Sequence, residues 1–238
     1  MLRVFVTVDV ELWCESWQQL DAGFPEAFAS HILGRTSRGD YGVAFQARML
    51  REHGLQGVFF VDPLFATRFG PTPLADTVGM VQLEAQDVQL HLHTEWLDEA
   101  PAPLFPHITD KRPLMRQFQE HEQRLIIEQG LRLLRDAGAP RVDAFRAGNF
   151  GFNAATLPAL AANGIRFDSS YNACVLGPES GLLPGVTLTE PVEQDGVLEF
   201  PVTVFRDGTG TLRPLQITAC SWAEIEAVLW KSLEAGRQ

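Results

Sequence analysis

The 238-residue sequence predicts an α/β protein with about seven parallel strands. A closed or nearly closed β/α barrel fits best, and a doubly wound open sheet is the alternative. Three observations predict this class. Short runs rich in β-branched and aromatic residues recur along the chain, longer helical patterns separate most of them, and polar residues gather where the runs end. In both folds chemistry belongs at the carboxyl ends of the strands.

Val4-Phe5-Val6-Thr7-Val8 reads as the first strand. A long, aromatic-rich irregular stretch over 12–40 follows, with Trp13, Trp17, Phe24 and Phe28, and is expected to pack rather than to be disordered. A helix over 43–53 ends at Gly54, and Gly57-Val58-Phe59-Phe60-Val61 is the second strand. Residues 75–85 read as a helix, 87–91 as a third strand and 96–111 as a Pro-rich loop. Pro113 opens a long helix over 114–137 whose packing face is Leu114, Phe118, Leu125, Leu131 and Leu134, closed by Gly138. Strand four is expected over 143–146, a helix over 154–163 closed by Gly164, and strand five over 165–169. A loop over 173–195 leads to strands over 197–205 and 215–220, and Ser221 caps a last helix over 222–235.

Composition narrows the function. Apolar residues make up 45% and charged residues 21%, so the chain reads as a soluble globular protein. A single domain of this length buries about three quarters of its unfolded surface and folds without disulfide or metal staples. The net charge of −11 repels nucleic acid and anionic lipid surfaces. Three cysteines, Cys14, Cys174 and Cys220, are too few and too odd in number for a disulfide framework and read as buried thiols. The first apolar run is broken at once by Asp9 and Glu11, and no run approaches the roughly 18 residues of a membrane span, so a reducing, cytoplasmic setting is expected.

Strand alternation gathers the chemistry. Val4, Val6, Val8 and Val10 form one apolar face expected to meet helices, while Asp9 and Glu11 share the other. On the third strand Leu90 and Leu92 face one way and Gln89, His91 and His93 the other. If both polar faces meet at one barrel mouth, two carboxylates and two imidazoles converge, a set that suits a divalent metal with a spare carboxylate as base. A single buried histidine would more often be a hydrogen-bonded core residue. Arg146 ends strand four, where an arginine can pair bidentately with an active-site carboxylate and keep it ionised.

These residues carry a family resemblance. Val6-Thr7-Val8-Asp9-Val10-Glu11, Gly57-Val58-Phe59-Phe60-Val61, Gln89-Leu90-His91-Leu92-His93, Phe145-Arg146-Ala147-Gly148 and Phe167-Asp168-Ser169-Ser170 follow in the order of the polysaccharide deacetylase (NodB-homology) family. The chain resembles that family over roughly residues 3–205. The resemblance implies a distorted β/α barrel and metal-dependent hydrolysis of an N- or O-acetyl group on an acetylated sugar or cell-surface polysaccharide precursor. It implies Asp9 as general base and Arg146 as the residue that orients it. Val10 stands where the family has a metal-binding Asp, so that role passes to Glu11. His91 matches the first metal-binding histidine; for the second, His93 takes the place on strand alternation and Glu95 is the alternative. Glu95, Trp96, Asn149 and Asp168 are expected to contact substrate, with Asp168 lining the groove. The metal is expected to be zinc, and cobalt, nickel, manganese or iron would suit the same nitrogen and oxygen donors.

One departure stands out. The family's final Leu-x-His motif, which protonates the leaving group, has no counterpart, because no histidine follows His121. The domain over 1–238 is then cut before its last strand, or another group is the acid, or activity is lost. A non-catalytic glycan- or protein-binding relative is therefore a competing reading, as is a metal-dependent amidohydrolase of another barrel family. Trp13, Trp17, Trp96 and Phe150 offer either a sugar-stacking platform or the small core of their own loops. His31, His53, His107 and His121 read as incidental, and Asp40-Tyr41-Gly42 as a helix cap or a substrate contact.

Overall fold

In the computed structural model, which describes residues 2–236, a strand β1 (Val6–Val10) begins the central sheet. The 12–40 stretch is ordered: it holds helix α1 (Leu20–Ala27), a π-helical turn at Phe28–Ile32 and a hairpin of β2 (Arg35–Thr36) and β3 (Gly39–Asp40). Its aromatics pack on the domain, Phe24 stacking on Phe69 with ring centroids 3.9 Å apart. Asp40 pairs with Arg35, and Gly42 is the residue before the next helix, so this tripeptide serves turn and cap. The chain then runs through α2 (Val43–Glu52), β4 (Gly57–Val61), α3 (Ala66–Phe69), α4 (Pro71–Gln82) and β5 (Asp87–Leu92). It continues as α5 (Glu120–Asp136), β6 (Ala144–Ala147), α6 (Thr156–Ala162), β7 (Phe167–Asp168), β8 (Val192–Gln194), β9 (Val197–Glu199), β10 (Val204–Arg206), β11 (Leu212–Pro214) and α7 (Trp222–Glu234).

Seven strands form the sheet in the order β1-β4-β5-β6-β7-β9-β8, and every pairing is parallel except β8 with β9. The expected α/β class and strand number hold. The ring is not hydrogen-bonded shut: β1 and β8 are its two edges. No helix among the described residues is long and apolar enough to cross a membrane.

Several elements differ from the sequence expectation, each for a local reason. The helix expected over 114–137 is broken: Phe118 and Gln119 are extended, with ψ of 148° and 156°. Gln119 is the cap of α5 and its N–H donates to Glu122 Oε2, while in the turn Met115–Gln117 the Arg116 N–H donates to Gly151 O in the loop after β6. Leu125 is 43% exposed, and the buried stripe is instead Ile126, Ile127, Gly130 and Leu134. Gly130 sets that face, because a Cβ there would lie 2.8 Å from Leu92 and 2.9 Å from Leu90, so α5 rests directly on β5. The strand expected over 197–205 is split into β9 and β10 around Pro201, which has no N–H for a ladder. The one expected over 215–220 is a turn, with Ala219 and Cys220 N–H both donating to Gln216 O. The helix expected over 75–85 starts earlier, at Pro71, and Ala85 adopts a left-handed φ of 56° beyond its end. Ser221 caps α7 as expected, in a reciprocal capping box with Glu224.

Register sorts the sheet into two faces. Residues paired across adjacent parallel strands project to the same side. Asp9 pairs with Phe60 and Phe60 with Gln89, and His91 pairs with Arg146, so these share the inner face. The other face carries Val10, Phe59, Val61, Leu90, Leu92 and Phe145, all buried with the helical residues Val78, Val81, Ile126 and Leu157 in one core. Burial of each such side chain contributes about 1.5–3 kcal/mol. The valine face of β1 is only partly covered: Val10 is buried but Val4 is 56% exposed, because β1 is an edge.

Candidate functional site

Glu11 follows directly on β1, and His91 and His93 lie at and just past the end of β5. The sheet brings these three together across 80 residues of sequence: Glu11 Oε1 is 3.1 Å from His91 Nε2 and 3.3 Å from His93 Nε2. One oxygen and two nitrogens from the trio lie within 4.8 Å of one another. His93, not Glu95, joins Glu11 and His91.

Both rings are held from behind. His91 Nδ1 is 2.8 Å from Arg146 O, and a carbonyl only accepts, so the proton sits on Nδ1 and Nε2 faces Glu11. His93 Nδ1 lies 3.5 Å from Glu95 Oε2, and Asn149 Nδ2 donates to Glu95 Oε1 at 2.9 Å, holding that carboxylate in place. Gly148 is required beside it, since a Cβ there would stand 2.7 Å from His93 Nδ1 and from Leu92 O. The second oxygen of Glu11 is also engaged: Trp13 Nε1 donates to Oε2 at 2.8 Å.

The charges reinforce one another. Burial works to raise the Glu11 carboxyl, but the close approach and charge of His91 and His93 overcome it and hold it well below the usual carboxylate range. Burial opposes a charge on His93, and the neighbouring carboxylates of Glu11, Glu95 and Asp62 outweigh it, pushing the imidazolium up to about 10. Neither ring nitrogen of His93 has a well-formed hydrogen bond, although both are buried. His91 Nε2 faces Glu11 Oε1 at 3.1 Å, a contact that is favourable only with a proton or a cation between the two. The donor set and its unsatisfied nitrogens fit a divalent cation.

Asp9 lies on the same face as Glu11 and contacts Arg146, whose Nη1 donates to Asp9 Oδ1 at 2.6 Å. The pairing is through one nitrogen, not bidentate as expected. Arg146 spends its other donors on Thr7 Oγ1 and on the carbonyl and hydroxyl of Ser169, and its guanidinium lies 4.4 Å over the Phe60 ring.

Two expected substrate contacts are corrected. Trp96 is fully buried, 5.0 Å from Trp17 and 6.0 Å from Phe69 in centroid distance, because the turn Thr94–Trp96 folds it inward. Asp168 is fully buried and does not line a groove. It pairs in register with Phe145, which places it on the helix-facing side of the sheet; Ser169 is the residue that turns toward Arg146. Asn149 is exposed at the rim, while Trp13 and Trp17 are half-buried, with Lys111 Nζ 3.9 Å from the Trp17 ring. Among the histidines expected to be incidental, His31 has a structural task, since Trp13 N–H donates to its Nδ1.

Two acids escaped the sequence reading. Asp62 follows β4, and the registers Val10 with Val61 and Val61 with Leu90 set it between Glu11 and His91. Its Oδ1 accepts from Leu64 N–H, its Oδ2 is buried without a partner, and burial pushes the carboxyl up to about 6 against the opposing pull of His93 and His91. Its place at the end of an apolar strand, two residues after Phe60, was the available signal. Glu199 pairs in register with Asp168. Ser170 Oγ donates to Asp168 Oδ1 and Tyr171 N–H to Glu199 Oε1, which leaves the other two carboxyl oxygens to share a proton. Burial, then the Asp168 charge, raises Glu199 well above the 4.5 of a free carboxyl. Because folding raises this value, the stability it contributes is full below the unfolded value and is lost as pH rises through the folded one. Thermal unfolding followed from about pH 5 upward should show a declining midpoint, and Glu199→Gln should flatten that decline; identical pH slopes would refute the shared proton.

Together these features define an α/β fold with one polar centre at the carboxyl edge of its sheet. No family model matches the sequence, and no curated protein matches it. Among solved structures, a Mycobacterium smegmatis protein assigned as a polysaccharide deacetylase is similar with a TM-score of 0.51 and 18% identity, over 84% of this chain and 58% of that one. The chain thus spans little more than half the length of that relative. A family 4 carbohydrate esterase from Streptomyces lividans, solved with acetate, matches with a TM-score of 0.40 and 16% identity over 71% and 64% of the two chains. A family 4 pseudoenzyme from Bacillus anthracis matches with 0.43 and 11% over 71% and 43%. The chain has the fold of the polysaccharide deacetylases, the NodB type, in a divergent form.

Proposed function

We propose that this chain is a metal-dependent hydrolase that removes an N- or O-linked acetyl group from a carbohydrate. The observation that carries the reading is the meeting of Glu11, His91 and His93 beside the Asp9–Arg146 pair. Glu11 Oε1 and the two Nε2 atoms would hold the ion, with zinc the best match for this donor set. A bound divalent cation supplies Lewis-acid polarisation of the acyl carbonyl and a water reactive at neutral pH. Asp9 takes a proton from the attacking water on Oδ2, since Oδ1 is engaged by Arg146. As the acyl carbon–nitrogen or carbon–oxygen bond breaks, Asp9 returns that proton to the leaving atom, so one carboxyl acts as base and then acid. Arg146 fixes the direction in which Asp9 points through its anchors on Thr7 and Ser169.

Elemental analysis of the purified chain, together with acetate release from N- and O-acetylated oligosaccharides, tests this reading. Close to one metal per chain is expected, lost in Glu11→Ala and in His91→Ala. A chain that takes up no metal from excess zinc or cobalt, or variants that retain it in full, would overturn the site. Full metal occupancy without acetate release from any acetylated sugar would favour a glycan-binding role.

A further inference from the structure

We infer that Trp13 is a positioning residue of this site, its indole N–H holding Glu11 so that one carboxylate oxygen alone faces the two imidazoles. The inference rests on the proposed metal reading. Trp13 Nε1 donates to Glu11 Oε2 at 2.8 Å, and Oε1 is the oxygen that approaches His91 and His93. An indole N–H donates and never accepts, so it fixes which oxygen it takes.

The ring itself cannot swing away. Its plane meets His93 edge-on, with centroids 4.6 Å apart, and Trp17 packs against it at 6.1 Å. Lys111 lies over Trp17 and is anchored by Asp98, Glu99 and the carbonyl of Glu95. The Trp13 backbone is pinned by its N–H bond to His31. The long aromatic segment after β1 thus serves as a clamp on a ligand two residues upstream, and neither a sugar platform nor a lid is needed to explain Trp13.

An ion held by this trio would therefore meet one oxygen of Glu11, the Oε1 left free by Trp13. A carboxylate free to bind through both oxygens would occupy an extra position, whereas a site that must also admit water and an acyl oxygen needs positions left open. Partners in the outer shell of a metal site typically contribute 10–100-fold in affinity.

The test uses the whole chain and its Trp13→Phe variant, which keeps the ring and removes the N–H, titrated with cobalt(II) and zinc. Visible absorption of cobalt reports coordination number, since four-coordinate cobalt absorbs more strongly than five- or six-coordinate. Trp13→Phe should weaken binding by about 10–100-fold and lower the visible absorption per bound cobalt. Phe28→Leu, in the same segment but packed on Phe24 rather than on Trp13, should bind like the wild type. Unchanged affinity and spectrum in Trp13→Phe would overturn the inference, and so would equal losses in both variants, which would assign the effect to loop packing. Absence of cobalt and zinc binding in the wild type would instead remove the metal site on which the inference rests.

Discussion

An Asp9→Asn variant is expected to keep its metal and to release acetate about 10²–10⁴-fold more slowly, the usual contribution of a positioned general base. The amide has the shape of the carboxylate but accepts no proton at neutral pH, so the change isolates proton transfer from packing. Asp9 is placed for this work by strand alternation, on the face it shares with Glu11 but outside the trio of Glu11, His91 and His93. Its side chain is 28% exposed, enough for water to reach it, although Oδ1 is held by Arg146. Metal content measured beside the acetate rate checks the assignment. If Asp9→Asn lost metal in proportion to activity, Asp9 would belong to the ion's shell and the base would have to be sought elsewhere; an unchanged rate would exclude it from proton transfer.

Arg146→Met should cost the fold about 3 kcal/mol, near the lower end for breaking a buried charge pair because Asp9 keeps partial access to water. The loss has several sources. Removing the guanidinium leaves Asp9 Oδ1, Thr7 Oγ1 and the carbonyl and hydroxyl of Ser169 without their donor, and strips the cation from the face of Phe60. Arg146→Lys should recover only part, since a single ammonium cannot span three strands of partners as the planar fork does. Urea unfolding midpoints measure both variants. The double variant Asp9→Asn/Arg146→Met should be less damaged than the sum of its parts, because no orphaned carboxylate remains. A loss below about 0.5 kcal/mol in Arg146→Met, the range of ordinary surface changes, would show that Arg146 does not anchor these strands.

Much of this architecture was legible from residue order. The runs at 57–61 and 87–91, Ser221 as a cap, and the glycines that end helices are local features, and local rules of propensity and capping read them. The pairing of Asp9 with Glu11 on one face and of His91 with His93 on another follows from the period of two that any strand obeys. That alternation left both His93 and Glu95 available beside His91, and it is the tertiary geometry that sets His93 Nε2 3.3 Å from Glu11 Oε1.

Other features depend on which strand lies beside which. Asp168 sits in a recognisable motif, yet its register with Phe145 turns it to the helix side, where it meets Glu199 and not a substrate. Asp62 becomes interesting only because β4 lies between β1 and β5, and Trp96 is lost to the surface because the turn after His93 folds it under Trp17. The break at Phe118 arises where the turn Met115–Gln117 bonds to Gly151, in the loop that follows β6. The sequence by itself therefore determined most strands of the central sheet, the faces of single strands and the residue types that carry charge. The tertiary structure alone decided register, and with it the company each polar residue keeps. The physical reason is range: alternation and capping act over a few residues, whereas Glu11 meets His91 across 80 residues and Asp9 meets Arg146 across 137.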